Sequence, residues 1–304
     1  MSEHRVTIIM PTMATSERAR SLRRAIASVT SDQETPAIPL VVVNGTRFDR
    51  DVLDSLKADR SIHCFYLEVG DLPGAINFGR SQVDTEFFGF LDDDDRYYPW
   101  AIGERLEAMD KDSSADVVVS WGEKETPTGA ERTPAAELFC CDDPLRGVLY
   151  ANWLASCGGL YRSDSVPVSY FDPTVRYLEW TYLAFRLALD RSVRFLASER
   201  PHFFIANTLG SASKSLDYAF GVLAALRRMT DFDMPPDVRR LLAIKTATNL
   251  QILAYRMSCQ GDLAAAWRLH FESLAYPAGL KYLARTPRLV ARSLYNRLFT
   301  AGRK

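Results

Sequence analysis

The sequence predicts an α/β domain followed by a helical extension, and three observations carry that expectation. Over residues 1–215, short apolar runs that stop at turn residues alternate with segments whose apolar residues recur at three-and-four spacing. Residues 216–304 carry the helical spacing alone. A chain of 304 residues that is 47% hydrophobic and 25% charged can bury a sizeable core, which excludes both a disordered chain and a minimal disulfide-stapled scaffold.

The elements follow in order. Val6-Thr7-Ile8-Ile9-Met10 is a strand stopped by Pro11, and Ala19, Leu22, Ala25, Ile26 and Val29 mark a helix face. Leu40-Val41-Val42-Val43 is a buried strand ending in the turn pair Asn44-Gly45. A third strand spans Ile62 to Leu67, a short helix Ala75 to Val83, and a fourth strand Phe87 to Leu91, which runs into an acidic turn. Trp100 to Met109 reads as a helix and Val117-Val118-Val119 as a strand, while 122–137, rich in Pro, Gly, Thr and Glu, reads as a loop. A second half of the site is expected from about Gly147 to Leu209, with a small-residue stretch around Cys157-Gly158-Gly159-Leu160 and a helix through Leu178, Leu183, Phe185 and Leu189. In the extension, Leu216–Met229 and Val238–Met257 are helical, and Gly261-Asp262 turns the chain into Leu263–Leu274. A final segment after Pro277-Ala278-Gly279 breaks near Pro287 and continues through Leu289, Val290, Leu294, Leu298 and Phe299.

A net charge of -1 offers no whole-surface attraction to nucleic acid, and none is expected as a partner. The charge is unevenly placed. No acidic residue follows Glu272, whereas Lys281, Arg285, Arg288, Arg292, Arg297, Arg303 and Lys304 are basic. This terminal segment reads either as a helix packed on its own protein or as a peripheral contact with an anionic membrane face. Five cysteines, Cys64, Cys140, Cys141, Cys157 and Cys259, form neither a disulfide framework nor a zinc knuckle, so a reducing cytoplasm is the expected compartment. The Val6–Met10 run is too short for a signal peptide, and no run reaches the roughly 18 apolar residues of a bilayer span.

The chemistry concentrates at Asp92-Asp93-Asp94-Asp95, placed after an apolar strand and before Arg96-Tyr97-Tyr98-Pro99. In a parallel α/β sheet such strand ends are where ligand sites assemble. Four adjacent carboxylates repel one another, and a hard divalent cation, Mn2+ or Mg2+, offsets that repulsion. The plainer reading is a solvent-facing turn whose acids cap backbone groups. A metal in an oxygen-rich site suits a diphosphate partner. No Walker phosphate loop and no Gly-x-Gly-x-x-Gly turn offers an alternative phosphate cradle.

These motifs together resemble the family 2 glycosyltransferases of the GT-A fold, over roughly residues 5 to 215: Ile8-Ile9-Met10-Pro11-Thr12, the Leu22–Val29 helix, Val41-Val42-Val43-Asn44-Gly45-Thr46, Gly74-Ala75-Ile76-Asn77, and Phe90-Leu91 leading into the four aspartates. The resemblance implies a nucleotide-diphospho-sugar transferase fold with a mixed central sheet flanked by helices, here with a C-terminal helical extension over 216–304. It implies that Asp92-Asp93-Asp94 is the family's Asp-x-Asp motif, with Asp94 the direct metal ligand and Asp92 and Asp93 toward the nucleotide sugar. Pro11, Thr12 and Glu17 fall in the first nucleotide-facing loop, and Asn44 and Asn77 are candidate donor contacts; for Thr12, Asn44 and Asn77 ordinary turn or helix-entry roles stand beside those. Val43 stands where the family commonly has an acid for uracil, and Ile76 where it has a basic residue, so a UDP-linked donor rests on family prevalence and GDP- or dTDP-linked donors stay open.

An inverting transfer needs a base for the acceptor hydroxyl. Phe171-Asp172 and Tyr177-Leu178-Glu179-Trp180 resemble the family's Phe-Asp and Glu-Asp elements, with Trp180 in place of the second acid, which moves the expected catalytic base to Glu179. Glu179 also reads as a helix-terminal cap, and Trp180 either stacks on an acceptor sugar or packs in the core. His202 is a candidate third ligand on the metal side, by analogy with later histidines of GT-A enzymes. The expected function is inverting transfer to a hydroxyl of a carbohydrate or glycoconjugate acceptor, in surface polysaccharide or glycoconjugate synthesis. A metal-dependent nucleotidyltransferase and a non-catalytic nucleotide-sugar-binding protein are the competing readings, and the helices of 216–304 offer an acceptor groove or a homo-oligomer contact.

Overall fold

The computed structural model describes residues 4–133, 143–207 and 216–300, with side chains described as far as Tyr295. Cys140, Cys141, Arg303, Lys304 and the side chain of Arg297 lie outside the described residues, as does the end of the 122–137 segment. The described residues divide into two compact units. One is built from those up to Val175 and from Glu179 to the end of the first domain's strands; the other joins Arg176–Leu178 to the helices from Leu216 onward.

In the first unit, β1 (Val6–Thr12), β2 (Ile38–Asn44), β3 (His63–Leu67) and β4 (Phe87–Phe90) alternate with α1 (Ala19–Ala27), α2 (Arg50–Ala58) and α3 (Leu72–Ser81). Then come β5 (Arg96–Tyr97), α4 (Ala101–Lys111), β6 (Val117–Val119), the β7–β8 hairpin (Glu123–Thr126, Gly129–Arg132), α5 (Pro144–Tyr150), β9 (Gly159–Arg162), α6 (Glu179–Asp190), β10 (Val193–Phe195) and β11 (Phe203–Ile205). The main sheet has the order β10-β6-β9-β4-β1-β2-β3. All its pairings are parallel except those of β9, which runs antiparallel to both β4 and β6. A smaller sheet has the order β5-β11-β7-β8.

Every residue of β1 and β4 is buried, as the continuous apolar runs require of central parallel strands covered on both faces. Helix α1 turns Leu22, Ala25 and Ile26 into that core, at the spacing its sequence shows. Helices α2 and α3 start where Asp49 and Asp71 accept backbone N–H groups, from Asp51 at 3.0 Å and Gly74 at 3.0 Å. The turn after β2 needs Gly45, whose φ is 86° and whose Cα side faces Gly70 too closely for a Cβ to be comfortable.

Three local expectations change. The segment read as a loop over 122–137 contains the β7–β8 hairpin, whose β8 is exposed throughout, so backbone pairing and no apolar alternation specifies it. Helices α2 and α5 and strands β5, β10 and β11 are short additions to the reading. Pro287, read as a break, opens a helix, a position where its missing N–H costs nothing.

The second unit contains α7 (Leu216–Met229), α8 (Pro236–Gln260), α9 (Leu263–Leu274), a 3-10 segment Gly279–Arg285 and α10 (Thr286–Thr300). The Gly261-Asp262 pair acts as two caps: Gly261 closes α8 in the left-handed conformation at φ 87°, and Asp262 opens α9 by accepting from Ala265 N–H at 2.9 Å. Leu250, Leu253, Ala266, Leu269 and Leu289 fill its own core.

Candidate active site

The carboxyl ends of β1, β2 and β4 lie side by side because the strands are parallel and in register, with Thr12 opposite Val43 and Ile9 opposite Phe90. Leu91 continues the ladder by donating its N–H to Ile9 O at 3.0 Å, and the chain then turns, Asp95 N–H reaching Asp92 O at 3.2 Å. The four aspartates therefore sit at the strand-end position where the sequence places them.

Each of three carboxylates has an internal donor. Thr12 Oγ1 donates to Asp93 Oδ2 at 2.6 Å, and Arg18 Nη1 reaches both Asp93 Oδ1 at 2.9 Å and Asp94 Oδ2 at 2.7 Å. Ala206 N–H donates to Asp95 Oδ1 at 3.0 Å. Burial pushes the Asp92 carboxyl up, to about 6, against a hydrogen bond from Ser156; the charges of Asp94, Asp93 and Glu179 push the same way. Asp95 is raised further, to about 9, by burial first and then by Asp92. Burial also raises Asp93, while Thr12 and Arg18 oppose the rise. The turn is a place where ionised oxygens are short of positive charge.

The loop after β1 is shaped for this. Ala14, fully buried, takes the left-handed region at φ 49°, a cost that the surrounding contacts must meet, and its N–H is held by Thr12 Oγ1 at 2.9 Å. Pro11 is a buried residue of β1 beside this loop. Asn44 donates its amide to Thr12 O at 3.0 Å, so it ties the ends of β1 and β2 together. Glu17 is exposed, and its carboxyl is lowered by its own backbone N–H and by the Thr15 and Ser16 hydroxyls. The residue of this loop that reaches the aspartates is its neighbour Arg18.

Glu179 is the first residue of α6, and its charge is felt at Asp92. It lines a narrow cleft with Pro73, Ile76, Asp172 and Trp180. Trp180, half-buried, packs edge-on against Phe90 with ring centroids 5.0 Å apart and also lines the cleft beside Glu179. Asp172 accepts from Thr174 N–H at 2.9 Å and Thr174 Oγ1 at 2.6 Å, closing a turn. Asn77 donates to Phe171 O at 2.6 Å, so it fixes the segment that leads toward Glu179.

His202 is placed beside Glu104. Its Nε2 lies 2.9 Å from Glu104 Oε2 and its Nδ1 is buried without a hydrogen-bond partner. In the β5–β11 register Tyr98 N–H donates to His202 O, whereas the backbone that reaches Asp95 is that of Ala206. Four residues of extended chain separate the two, about 13 Å at ~3.3 Å per residue. Because a carboxylate only accepts, Nε2 carries the ring proton. Burial, and then the charge of Arg105, lower the imidazole to about 4, so the ring is neutral beside Glu104.

Among the described residues, no group of three or more His, Cys, Asp or Glu side chains is arranged to enclose a metal. The turn nevertheless suits Mg2+ or Mn2+, which take one or two carboxylates and leave other positions to water or substrate phosphate. A guanidinium bridging Asp93 and Asp94 already occupies the place where positive charge is needed. Two residues escaped the sequence reading. Arg18 is one, since an arginine at the end of the polar stretch before α1 carries no distinguishing pattern. Arg105 is the other: fully buried, it donates to Ser120 Oγ and Cys157 O, both at 2.9 Å, and faces the Tyr97 ring, bracing the strands beneath the turn.

Comparison with known proteins agrees with this geometry. Residues 7–149 match the family described as glycosyl transferase family 2. An uncharacterized glycosyltransferase of Rickettsia typhi is 32% identical over 117 residues, covering 38% of this chain and 36% of the relative. One of Rickettsia felis is 30% identical over 119 residues, covering 38% of this chain and 19% of the relative. The chain thus spans between about a fifth and little more than a third of the length of the curated relatives it matches. Among solved structures, Staphylococcus aureus TarS 1-349 in complex with UDP-GlcNAc superposes with a TM-score of 0.62 at 17% identity, over 90% of this chain and 82% of that one. The mannosyltransferase PcManGT of Pyrobaculum calidifontis, in complex with GDP-Man and Mn2+, superposes with a TM-score of 0.54 at 12% identity, over 99% and 88%. At such identities these likenesses concern the fold. Fold, acidic turn and family match converge: residues 7–149 are similar to glycosyl transferase family 2, and the fold is the GT-A architecture.

Proposed function

We propose that the chain is an inverting glycosyltransferase that moves a sugar from a nucleotide-diphospho-sugar to a hydroxyl of a carbohydrate or glycoconjugate acceptor. The observation that carries the reading is the strand-end cluster of carboxylates, held by Thr12 and Arg18, with Glu179 close enough to raise Asp92. Asp94, with Asp92 beside it, would hold Mn2+ or Mg2+. Bound there, the ion supplies neutralising charge for the departing nucleoside diphosphate.

The protein's own groups do the rest. Glu179 accepts the proton of the acceptor hydroxyl as that oxygen attacks the anomeric carbon and the bond to the diphosphate oxygen breaks. Attack from the face opposite the leaving group inverts the centre, and no enzyme nucleophile is needed. Arg18, which a divalent ion at Asp94 would displace, would have the charge and fork geometry to meet a phosphate oxygen and so to supply the basic group missing at Ile76. Thr12 and Asn44 keep the donor-facing loop in place, and Asn77 positions the segment before Glu179.

A UDP-linked donor is the leading choice. A neighbour in fold binds UDP-GlcNAc and another GDP-Man, and Val43 and Ile76 depart from the usual uridine pattern, so GDP- and dTDP-linked sugars belong in the same test. Surface polysaccharide or glycoconjugate synthesis, at the cytoplasmic side of a membrane, is the proposed setting. Among the described residues, no helix is long and apolar enough to cross a membrane.

The test is product analysis with a donor panel, Mn2+ and a mixture of simple glycosides, water serving as the default acceptor. Release of nucleoside diphosphate supports the reading. Release of pyrophosphate would establish nucleotidyl transfer instead, and no turnover of any donor by well-folded protein would contradict glycosyl transfer.

A further inference from the structure

The second unit contains a cleft that the transfer chemistry does not use. It measures about 630 Å³, within the range of small-ligand sites, and is lined by Arg256, Arg285, Arg288 and Arg292 together with apolar Ile252 and Leu289. Its walls come from α8, the 3-10 segment and α10. Tyr282, buried, lies 2.8 Å from Thr248 Oγ1 through its hydroxyl and so seats the 3-10 segment on α8. The buried Leu289 seats α10.

Charge is what distinguishes the cleft. Among its described lining residues there is no carboxylate. Arg288 and Arg292 stand four apart on α10, a spacing at which like charges repel. Arg292 Nη1 rests on Ser258 Oγ at 2.9 Å and Cys259 Sγ at 3.1 Å, both neutral. Arg285 lies over the Tyr282 ring at 5.3 Å.

The floor adds no counter-charge. His270 Nδ1 lies 2.9 Å from Gln251 Nε2, which can only donate, so the other nitrogen carries the proton and gives it to Thr286 Oγ1 at 2.9 Å. That ring is neutral, and burial lowers its affinity for a second proton. Four arginines lining one cleft over a neutral polar floor suit an oxyanion with several acceptor oxygens, which a guanidinium can grip in bidentate fashion.

We propose that this cleft binds a phosphate ester: its arginines take the phosphoryl oxygens and its apolar side takes the organic group. The chemistry is shared by a phospholipid headgroup and a soluble glycan phosphate. Exposed apolar residues near it, Ile252, Tyr255, Val290 and Leu294, would adjoin a lipid surface in the first case.

The experiment measures binding of the full chain to glycerol 3-phosphate by calorimetry. In parallel, co-sedimentation compares phosphatidylcholine vesicles with and without phosphatidic acid. The Arg285→Gln/Arg288→Gln double variant is compared with Arg240→Gln/Arg268→Gln, which removes the same charge from exposed positions outside the cleft, after thermal melts confirm that both are folded. The cleft variant is expected to lose about tenfold or more in affinity, the equivalent of roughly one charge-assisted hydrogen bond, while the control changes little. Binding to glycerol 3-phosphate alone identifies a soluble source, and binding that requires phosphatidic acid vesicles identifies a lipid. Failure of the parent to bind either probe, or equal loss in the two variants, overturns the proposal.

Discussion

The acidic turn of the first unit and the arginine-lined cleft of the second are both clusters of like charge, yet they hold that charge by opposite means. At the turn, Thr12, Arg18, Ser156 and the Ala206 N–H all supply donors, and burial still leaves Asp92 and Asp95 raised. In the cleft, Arg285 and Arg292 rest on a ring, a hydroxyl and a thiol, and among the described residues no acid lines the wall. The lesson is one of competition: a ligand at the turn must displace an internal cation, whereas an anion at the cleft meets guanidiniums such as Arg285 and Arg292, whose contacts are to a ring, a hydroxyl and a thiol.

The sharpest way to break the account of the turn is Asp94→Ala. It removes the carboxylate that Arg18 contacts and that would hold the metal, and nucleoside diphosphate release should fall by about 100-fold or more with the fold intact by circular dichroism. Activity near the parental level would remove Asp94 from the site. Glu179→Gln comes next. Turnover should fall roughly 100-fold through kcat while donor affinity stays put, because the base acts on the acceptor side; an unchanged kcat would return Glu179 to a capping role.

Arg18→Gln sharpens the competition itself. Without the guanidinium, the metal-free protein should lose about 1 kcal/mol of stability and show a larger Mn2+-induced rise in Tm than the parent. An equal rise in both proteins would mean that Arg18 and the ion do not compete.

The smallest expected effect concerns His202, away from the turn. Its imidazole falls from 6.5 unfolded to about 4 folded, so on acidification the unfolded chain takes up a proton first. The stability it contributes is present above about 6.5 and is lost as pH falls toward about 4. Glu104 acts in the same direction: burial opposes its ionisation, but the bond from Arg200 holds its carboxyl low, and that contribution too is lost on acidification. His202→Gln should therefore flatten the acid side of the stability profile by about 1–2 kcal/mol and leave Mn2+ binding unchanged. Weakened Mn2+ binding would restore His202 to the metal.

Legibility in the sequence follows the same contrast. The strands β1, β2 and β4 and the acidic turn can be read directly, because buried parallel strands are continuous apolar runs and the four aspartates are adjacent. The Gly261-Asp262 turn is legible because each residue has one conformational task. The β7–β8 hairpin is not, since exposed strands of charged residues carry no period. Nor is the role of Arg18, Arg105 or His202, whose partners lie 75, 52 and 98 residues away. For the cleft, the run of basic residues after Glu272 can be read, but its convergence with Arg256 depends on how α10 packs on α8.

The central claim is that the turn binds a nucleotide-diphospho-sugar together with a divalent ion. Calorimetric titration of UDP-, GDP-, dTDP- and CMP-linked sugars, with and without Mn2+, into the parent and Asp94→Ala tests it directly. The account predicts that one donor binds only with Mn2+ and that the variant loses this binding. Donor binding that is indifferent to Mn2+ and to Asp94, or no binding of any donor to folded protein, would contradict it.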